Sequence, residues 1–243
     1  MDAPDKIFSK QNRPTMTQIA LENIRGAIEK GTLKPGMRIK ESQLSNEMGM
    51  SRFSIREALC YLEKDGLIQT TPFKGVTVAQ ITPKDIEDLM MVRCALEELA
   101  IQLAIKKMNS KKVKILNTIM DRMENALDSN SEEDILNADL SFHQSICEFS
   151  ENGRLLNAWM PLASQIRVCL KMEYPMFQTA KQFISTHIPL LEVIVAGNQK
   201  KAAQLVQDHI YGALNRIIPI TDKAENDKPK IVNRKMIKKY KNF

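Results

Sequence analysis

Residues 83–217 carry a helical pattern throughout, and this feature limits the possible fold more than any other. Apolar residues recur there at steps of three and four, as in Leu89, Val92, Leu96, Leu99 and Leu103. This spacing lines one face of a helix, whereas a strand would alternate apolar and polar residues. Helices are predicted at 83–107, 111–129, 132–150, 152–172, 178–197 and 199–217, the fourth kinked at Pro161. Amphipathic helices in series, joined by short breaks, predict an all-α bundle.

The first 80 residues follow a different pattern, in which three short helices precede two short strands. The first helix begins after Thr15 and stops at Gly31, the second ends at Gly49, and the third is capped by Ser51 and stops at Gly66. Two short β-prone runs follow, separated by residues 72–74, which is typical of a hairpin. The order predicts a winged helix-turn-helix.

The sequence therefore predicts a mainly α protein with two domains. The winged helix-turn-helix, with its small β-hairpin wing, would occupy residues 14–80, and the all-helical domain residues 84–218. Residues 81–83 would form the linker between them. Residues 219–243 would form a basic, mobile tail, because Pro229 and many lysines interrupt its scattered apolar residues.

Helix-turn-helix proteins bind DNA through the beginning of the second helix of the turn pair, which enters the major groove. Here that end presents Ser51, Arg52, Phe53, Ser54 and Arg56. The two arginines lie four residues apart on one face, so both guanidinium groups can reach phosphates or guanine edges. At the wing tip, Lys74 and Gly75 offer a cation and a small backbone for close approach to a groove. The alternative is a helical subdomain whose arginines form a solvated face.

The charge of the chain is unevenly distributed, and this also suits a polyanionic partner. The net charge is +6, of which residues 13–79 carry +3 and residues 219–243 carry +5, while residues 80–218 carry −2. No apolar run is long enough to span a membrane, and residues 1–15 lack the apolar core of a signal peptide. We therefore expect a cytoplasmic protein.

All three histidines of the chain lie in the helical domain, and they suggest a metal site. Asp139 and His143 are four residues apart and project from one helical face, while His187 and His209 lie on two further helices. An aspartate and three imidazoles inside a bundle would suit Zn²⁺, Ni²⁺ or a similar divalent ion. On spacing alone the alternative is stronger, since a histidine on an apolar face is more often an ordinary core residue.

The stretch from Leu33 to Ala79 resembles the DNA-binding domain of the GntR family of regulators. The matching residues are Pro35, Gly36, Glu41, Leu44, Ser51, Arg52, Arg56, Glu57, Ala58, Leu59, Leu62, Gly66, Leu67, Ile68, Gly75 and Val78. The resemblance implies that Ser51, Arg52, Arg56 and Gly75 contact operator DNA. Many members have Thr-Pro in place of Phe53-Ser54 and a basic residue near Phe73, so the operator sequence cannot be carried over.

Residues 84–216 resemble the all-helical effector domain, called FCD, of the FadR branch of that family. The matching residues are Arg93, Leu96, Glu97, Asp139, Phe142, His143, Asn152, Leu155, His187, Leu190, Leu191 and His209. The resemblance implies that Asp139, His143, His187 and His209 bind a divalent metal, although Thr186 replaces a usual acidic residue. Two open positions on an octahedral ion would admit a carboxylate metabolite, with Arg93 as its counter-charge or, alternatively, paired with Glu97.

These features together predict a ligand-responsive repressor that binds a two-fold-symmetric operator as a homodimer. It would not be an enzyme. Two other classes stay open: a metal-dependent hydrolase, for which no separate general acid or base is evident, and an architectural DNA-binding protein with a structural metal.

Overall fold

The computed structural model describes residues 14–73, 75–129 and 131–225. They divide into two compact units, and the boundary along the chain falls between Gln80 and Ile81. In these ranges no helix combines the length and the apolar character needed to cross a membrane.

The first unit contains three helices and a small sheet. Its helices are α1 (Met16–Glu29), α2 (Glu41–Met48) and α3 (Arg52–Lys64), and its strands are β1 (Arg38–Ile39), β2 (Ile68–Thr71) and β3 (Gly75–Val78). Its buried apolar core consists of Ala20, Ile24, Ile39, Ile55, Ala58, Leu59, Leu62, Leu67, Ile68 and Val78. This arrangement confirms the predicted winged helix-turn-helix.

Polar contacts fix α1 against α3 at both ends of the pair. Thr17 Oγ1 donates to Glu57 at 2.6 Å, and Arg25 Nη2 lies 2.8 Å from Asp65 Oδ2. A capping box at Thr15 starts α1, because the Thr15 hydroxyl accepts from the backbone N–H three residues later. The helix that presents its end to solvent, α3, is thereby held on a rigid base.

The sheet has one more strand than the sequence predicted. The hairpin of β2 and β3 is present, with Thr71 opposite Gly75, but β1 adds to the free edge of β3 through Arg38 opposite Thr77 and Ile39 opposite Val76. The strand order is β1-β3-β2. A two-residue strand is too short to show the alternation by which strands are recognised in a sequence.

The second unit is a bundle of eight helices within the described residues. They are α4 (Pro83–Lys106), α5 (Ser110–Asp128), α6 (Glu132–Phe149), α7 (Gly153–Trp159), α8 (Ala163–Glu173), α9 (Ala180–Ser185), α10 (Ile188–Val195) and α11 (Gln199–Glu225). Side-chain caps start several of them, including a capping box of Thr82 and Asp85 with Pro83 at the first position of α4. Helix α4 is central and packs chiefly against α11 and α6.

Two of the predicted helices are each divided in two, and proline is the reason. The segment predicted at 152–172 is broken by a 3-10 turn, Met160–Leu162, which contains Pro161. The segment predicted at 178–197 is broken at Thr186 and His187, and Pro189 follows in the first turn of α10. Proline has no N–H and its ring clashes with the preceding turn, so it begins a helix more readily than it continues one.

The last helix is longer than predicted. It passes through Pro219 and reaches Glu225, although the sequence indicated an end near residue 217. Ile217 and Ile218 are buried beside the proline, so packing of this segment offsets the lost hydrogen bond. Residues 219–225 of the predicted tail are therefore helical, and residues 226–243 lie outside the described residues.

The apolar stripe from which the bundle was predicted is not the face of α4 that forms the core. Leu89 is buried, but Leu96 and Leu103 are only half-buried, and Val92 and Leu99 are 51% and 47% exposed. The core face is a second set of residues: Ile86, Met90, Cys94, Ala100, Ile101, Ala104 and Ile105. Because α4 is apolar on two sides, its sequence pattern cannot say which side is buried.

Candidate functional site

The beginning of α3 is exposed and is capped by its own sequence. Ser51 Oγ accepts a hydrogen bond from the backbone N–H of Ser54 at 3.1 Å and lies 3.0 Å from the Ser54 hydroxyl. The cap satisfies a backbone donor that would otherwise have no partner, and it sets the first helical residue at Arg52. Ser51, Arg52, Phe53 and Arg56 are exposed, and Ser54 is half-buried. The structure thus brings these five predicted residues together on one surface.

Arg56 is held in place by a carboxylate that sequence reasoning did not assign. Its Nη2 atom donates to Glu41 Oε2 at 2.8 Å, and its Nε atom lies 3.2 Å from both oxygens of the same carboxylate. The hydrogen bond from Arg56 lowers the pKa of Glu41, and the same contact raises the pKa of Arg56. Glu41 therefore orients one of the two predicted DNA-binding arginines from the neighbouring helix α2.

The wing carries a second cation that the sequence did not indicate. Gly75 has a φ of 86°, and a Cβ atom there would lie 3.4 Å from Arg38 Nη2. The Arg38 guanidinium thus lies against the wing, because β1 pairs with β3. Phe73, at the tip, is fully exposed with a φ of 66°. Lys74 lies outside the described residues, and its role stays a prediction.

The four predicted metal ligands meet inside the second unit. Asp139 and His143 lie on α6, His209 lies on α11, and His187 occupies the turn before α10 rather than a helix. One ligand atom from each lies within 4.8 Å of the others. Asp139, His143 and His187 are buried, and His209 is half-buried. The prediction that His187 lies on a helix is wrong, because Pro189 delays the start of α10.

Hydrogen bonds at the outer nitrogens orient two of the imidazoles. His143 Nδ1 lies 2.6 Å from Glu97 Oε2, and His187 Nδ1 lies 3.2 Å from the Thr186 hydroxyl. The Nε2 atom of each ring therefore faces the cluster, as in metal sites where a second hydrogen bond fixes the ligand's orientation. Sequence reasoning treated Thr186 as a minor departure and did not assign Glu97 to this role.

Several of the polar atoms that face the cluster are buried and poorly satisfied. Both Asp139 carboxylate oxygens and the Nε2 atoms of His143 and His187 are buried. His187 Nε2 and Asp139 Oδ1 lie 2.8 Å apart and contact each other as an ion pair, which leaves Asp139 Oδ2 and His143 Nε2 without any partner. Buried polar atoms in proteins are rarely left without a partner, and an ion is one way to satisfy them.

The charge states of the cluster also suit a cation. Burial alone would raise the pKa of Asp139, but interactions with His187, His143 and Arg93 outweigh it and lower that pKa. Burial and the neighbouring His187 and His143 lower the pKa of His209 well below its usual value, so this ring is neutral with a lone pair. Ligand atoms that each lie about 2.2 Å from one ion are within roughly 4.4 Å of one another. The ligand atoms here lie within 4.8 Å of one another, so a small contraction of the cluster would complete the site.

Arg93 is buried beside this cluster and is partly engaged. Its Nε atom donates to Glu97 Oε1 at 2.8 Å, while its Nη2 atom is buried without a partner. The ion pair with Glu97, which the sequence left as an alternative, is therefore present. One donor of the guanidinium nevertheless stays available for a further acceptor.

Glu97 is the shared partner of this buried network. Besides Arg93 and His143, it accepts a hydrogen bond from Trp159 Nε1 at 3.0 Å, and all four side chains are buried. Burial would raise the pKa of Glu97, but Arg93 and His143 lower it well below the usual range. The carboxylate therefore stays ionised and joins the predicted metal ligand His143 to the predicted anion-binding residue Arg93.

A further buried carboxylate, Glu173, lies near the network on α8. Arg216 Nε and Nη2 both donate to Glu173 Oε1, at 2.9 and 2.6 Å, and the guanidinium lies 4.8 Å from the centre of the Phe177 ring. Burial raises the pKa of Glu173, although the Arg216 cation opposes this effect. The pair links α8 to α11, the helix that carries His209, and sequence reasoning did not identify it.

Two family models match the chain. Residues 17–78 match the model described as bacterial regulatory proteins, gntR family, and residues 88–212 match the FCD domain. The HTH-type transcriptional regulator YdhC of Bacillus subtilis is 31% identical over 202 residues, which cover 82% of this chain and 90% of that protein. A probable D-xylose utilization operon transcriptional repressor of Paenarthrobacter nicotinovorans is 25% identical and covers 88% of this chain and 92% of its own length.

Solved structures share the fold. McbR/YncC of E. coli superposes with a TM-score of 0.72 at 20% identity, covering 88% of this chain and all of that one. A regulator from Rhodococcus sp. RHA1 gives a TM-score of 0.70 at 21% identity, covering 83% and 97%. At these identities the likeness concerns the fold.

Proposed function

Because the chain belongs to the GntR family of bacterial transcription regulators and carries an FCD domain, we propose that it is a repressor controlled by a metal-bound metabolite. As a member of that family it is a DNA-binding transcription regulator. Repression is favoured by the relative from P. nicotinovorans, which is named a repressor. Its place of action would be the cytoplasm, where a bacterial chromosome is found.

We assign DNA binding to residues 14–80, effector binding to residues 84–218 and the connection to residues 81–83. Ser51, Arg52, Phe53, Ser54 and Arg56 would enter the major groove, and Lys74 and Gly75 would contact the backbone from the wing. The exposure of the α3 end and the rigid base beneath it support this assignment. The basic residues 219–243 would add affinity for phosphates that does not depend on sequence.

The metal centre would consist of Asp139, His143, His187 and His209. The observation that carries this proposal is that one ligand atom from each of the four residues lies within 4.8 Å of the others, with Asp139 Oδ2 and His143 Nε2 buried and without a hydrogen-bond partner. Nitrogen and carboxylate donors in this proportion favour Zn²⁺ or Ni²⁺. Bound there, the ion would supply coordination positions for an incoming ligand.

The effector would be a small carboxylate, with Arg93 as its counter-charge. The unpaired Arg93 Nη2 atom supports this choice, since a buried guanidinium donor is best satisfied by an anion. Binding would change operator affinity only if the ligand favours one arrangement of the two DNA-binding domains over another, by a coupling of about 1–3 kcal/mol.

The protein would act as a homodimer on a two-fold-symmetric operator. The apolar side of α4 that lies away from the core, where Val92 and Leu99 are exposed and Leu96 and Leu103 are half-buried, supports this arrangement. An apolar stripe on a surface helix is unfavourable in water, and a second copy of the same helix would bury it by a symmetric contact.

A thermal-shift screen of small carboxylates, with and without chelator, tests the proposal on the full-length chain. We expect Zn²⁺ or Ni²⁺ to raise the Tm, a subset of carboxylates to raise it further only when metal is present, and the same compounds to lower operator affinity. Metal stabilisation with no carboxylate response would indicate an architectural protein with a structural metal. Turnover of a carboxylate ester or amide with bound metal would indicate a hydrolase.

A further inference from the structure

In the part of the first unit that the structure describes, the aromatic side chains lie on the surface. In the described residues of this unit they are Phe53, Tyr61 and Phe73, with exposures of 75%, 45% and 106%. The second unit instead buries large aromatic residues such as Trp159 and Phe183. Burying a phenyl ring is one of the larger contributions to folding, and these rings do not make it. They are therefore available for contacts with a partner molecule.

Phe73 is unfavourably placed in two ways. It lies in the turn of the β2–β3 hairpin, midway between Thr71 and Gly75, which are opposite each other in the two strands. Its ring is fully exposed to solvent. Its φ of 66° lies in the left-handed region, which glycine and asparagine adopt with little strain and bulky residues avoid. Strain that the fold does not require is typically found where a side chain has a function.

We propose that Phe73 is a wedge that inserts its ring between base pairs from the minor groove of the bound duplex. The inference rests on the proposed DNA binding and extends it to a residue and a mode of contact outside the α3 surface. With α3 in the major groove, a hairpin from the same unit can reach the adjacent minor groove, where apolar side chains such as Phe unstack a base step and bend the duplex.

The surroundings of Phe73 fit this contact. Pro72 restricts the backbone immediately before Phe73, and Gly75, two residues after it, has no side chain. The Arg38 guanidinium against Gly75 can hold a phosphate at the groove edge. Such a wedge would favour sites with a flexible pyrimidine–purine step at the point of insertion, so Phe73 would contribute to the choice of operator.

The test uses the full-length chain and a duplex selected by it from a random library. In Phe73→Asn the ring is lost but the left-handed backbone becomes easier, so we expect an unchanged or higher Tm and an affinity lower by at least about 10-fold. End-to-end fluorescence transfer in the duplex should report a bend with the wild-type chain and a smaller bend with Phe73→Asn. Phe73→Trp should retain both the affinity and the bend.

Tyr61→Ala is the matched control, because it also removes an exposed aromatic ring from this unit. The wedge is overturned if Phe73→Asn binds and bends the duplex as the wild type does, if affinity falls without a change in bend, or if Tyr61→Ala loses as much affinity. If the wild-type chain selects no duplex, the proposed DNA binding itself fails, which is a distinct result.

Discussion

Single residues decide the chemistry of the second unit, and Glu97 is one of them. It contacts His143, Arg93 and Trp159 at 2.6–3.0 Å, so its carboxylate sets which imidazole nitrogen faces the metal cluster. The four ligands could be predicted from residue type, spacing and family resemblance. The Arg93–Glu97 pair was an alternative from the sequence, but the contact of Glu97 with His143 could not be predicted, because it depends on an orientation between helices that no spacing along the chain expresses.

Replacing Glu97 by Gln should weaken metal binding. The amide is a poorer acceptor for His143 Nδ1–H than a carboxylate, and loss of such a partner typically lowers metal affinity about 10- to 100-fold. Competition with a chromogenic zinc chelator measures the change. Glu98→Gln, the adjacent residue outside the network, is the control, and an equal affinity in the two variants would contradict the role of Glu97.

The same substitution leaves the Arg93 charge buried without its partner, which can cost about 3–5 kcal/mol of stability. The double variant Arg93→Gln with Glu97→Gln removes both charges. We expect it to recover stability, measured by urea unfolding, but not metal affinity. Recovery of both would mean that Glu97 acts only by neutralising Arg93.

Replacing His209 by Ala should abolish stabilisation by metal. A ligand present at 100 times its Kd stabilises the folded wild type by about 2.7 kcal/mol, and this increment should vanish when one donor is removed. Because His209 is neutral, its loss leaves no buried charge behind. Unfolding with and without Zn²⁺ gives the increment, with Gln204→Ala on the exposed side of α11 as control. An undiminished increment in His209→Ala would exclude this residue as a ligand.

At the scale of elements, helix starts were easier to predict than breaks within long apolar segments. The first helix begins after Thr15 and Ser51 caps the third, as the sequence predicted. The divisions at Pro161 and Pro189 and the continuation through Pro219 depend on packing. A proline can kink, break or be tolerated, and the balance is set by what its neighbours bury.

The beginning of α3 is the element to which we assign DNA recognition. Replacing Arg52 and Arg56 together by Ala should lower affinity for the selected duplex by at least about 10-fold, because charged forks to phosphates and guanines are lost. The slope of log K against log salt should fall by about 1 for each arginine that contacts a phosphate. Titration at several salt concentrations measures both quantities.

Lys111→Ala with Lys114→Ala makes the same change of charge on the exposed surface of α5 and serves as control. If the α3 variant retained the affinity and the sequence preference of the wild type, the assignment of α3 as the recognition helix would have to be abandoned. The Glu41 contact also predicts that Arg56 is pre-oriented, which a sequence cannot express because the two residues lie on different helices.

At the scale of the molecule, the two architectures followed from periodicity and from the order of elements. The burial of α4 did not follow, because this helix has apolar residues on both sides and only the three-dimensional packing chooses between them. The side that stays exposed, with Val92 and Leu99, is where the assembly of two chains is expected.

Replacing Val92 and Leu99 by Glu should therefore separate the dimer. In a two-fold contact each new carboxylate would face its symmetry mate or an apolar surface of the partner, and burial of unpaired like charges is strongly unfavourable. Light scattering after size exclusion should give the 27.7 kDa of one chain for the variant and twice that for the wild type.

Ile115→Glu, at another exposed apolar position, this one on α5, should leave the dimer intact. Binding to a two-fold-symmetric duplex should weaken together with dimer loss, because two half-sites are then no longer bound by one particle. A variant that remains dimeric would exclude this face of α4 as the interface. The assignments of the metal centre and of the α3 surface do not depend on that result.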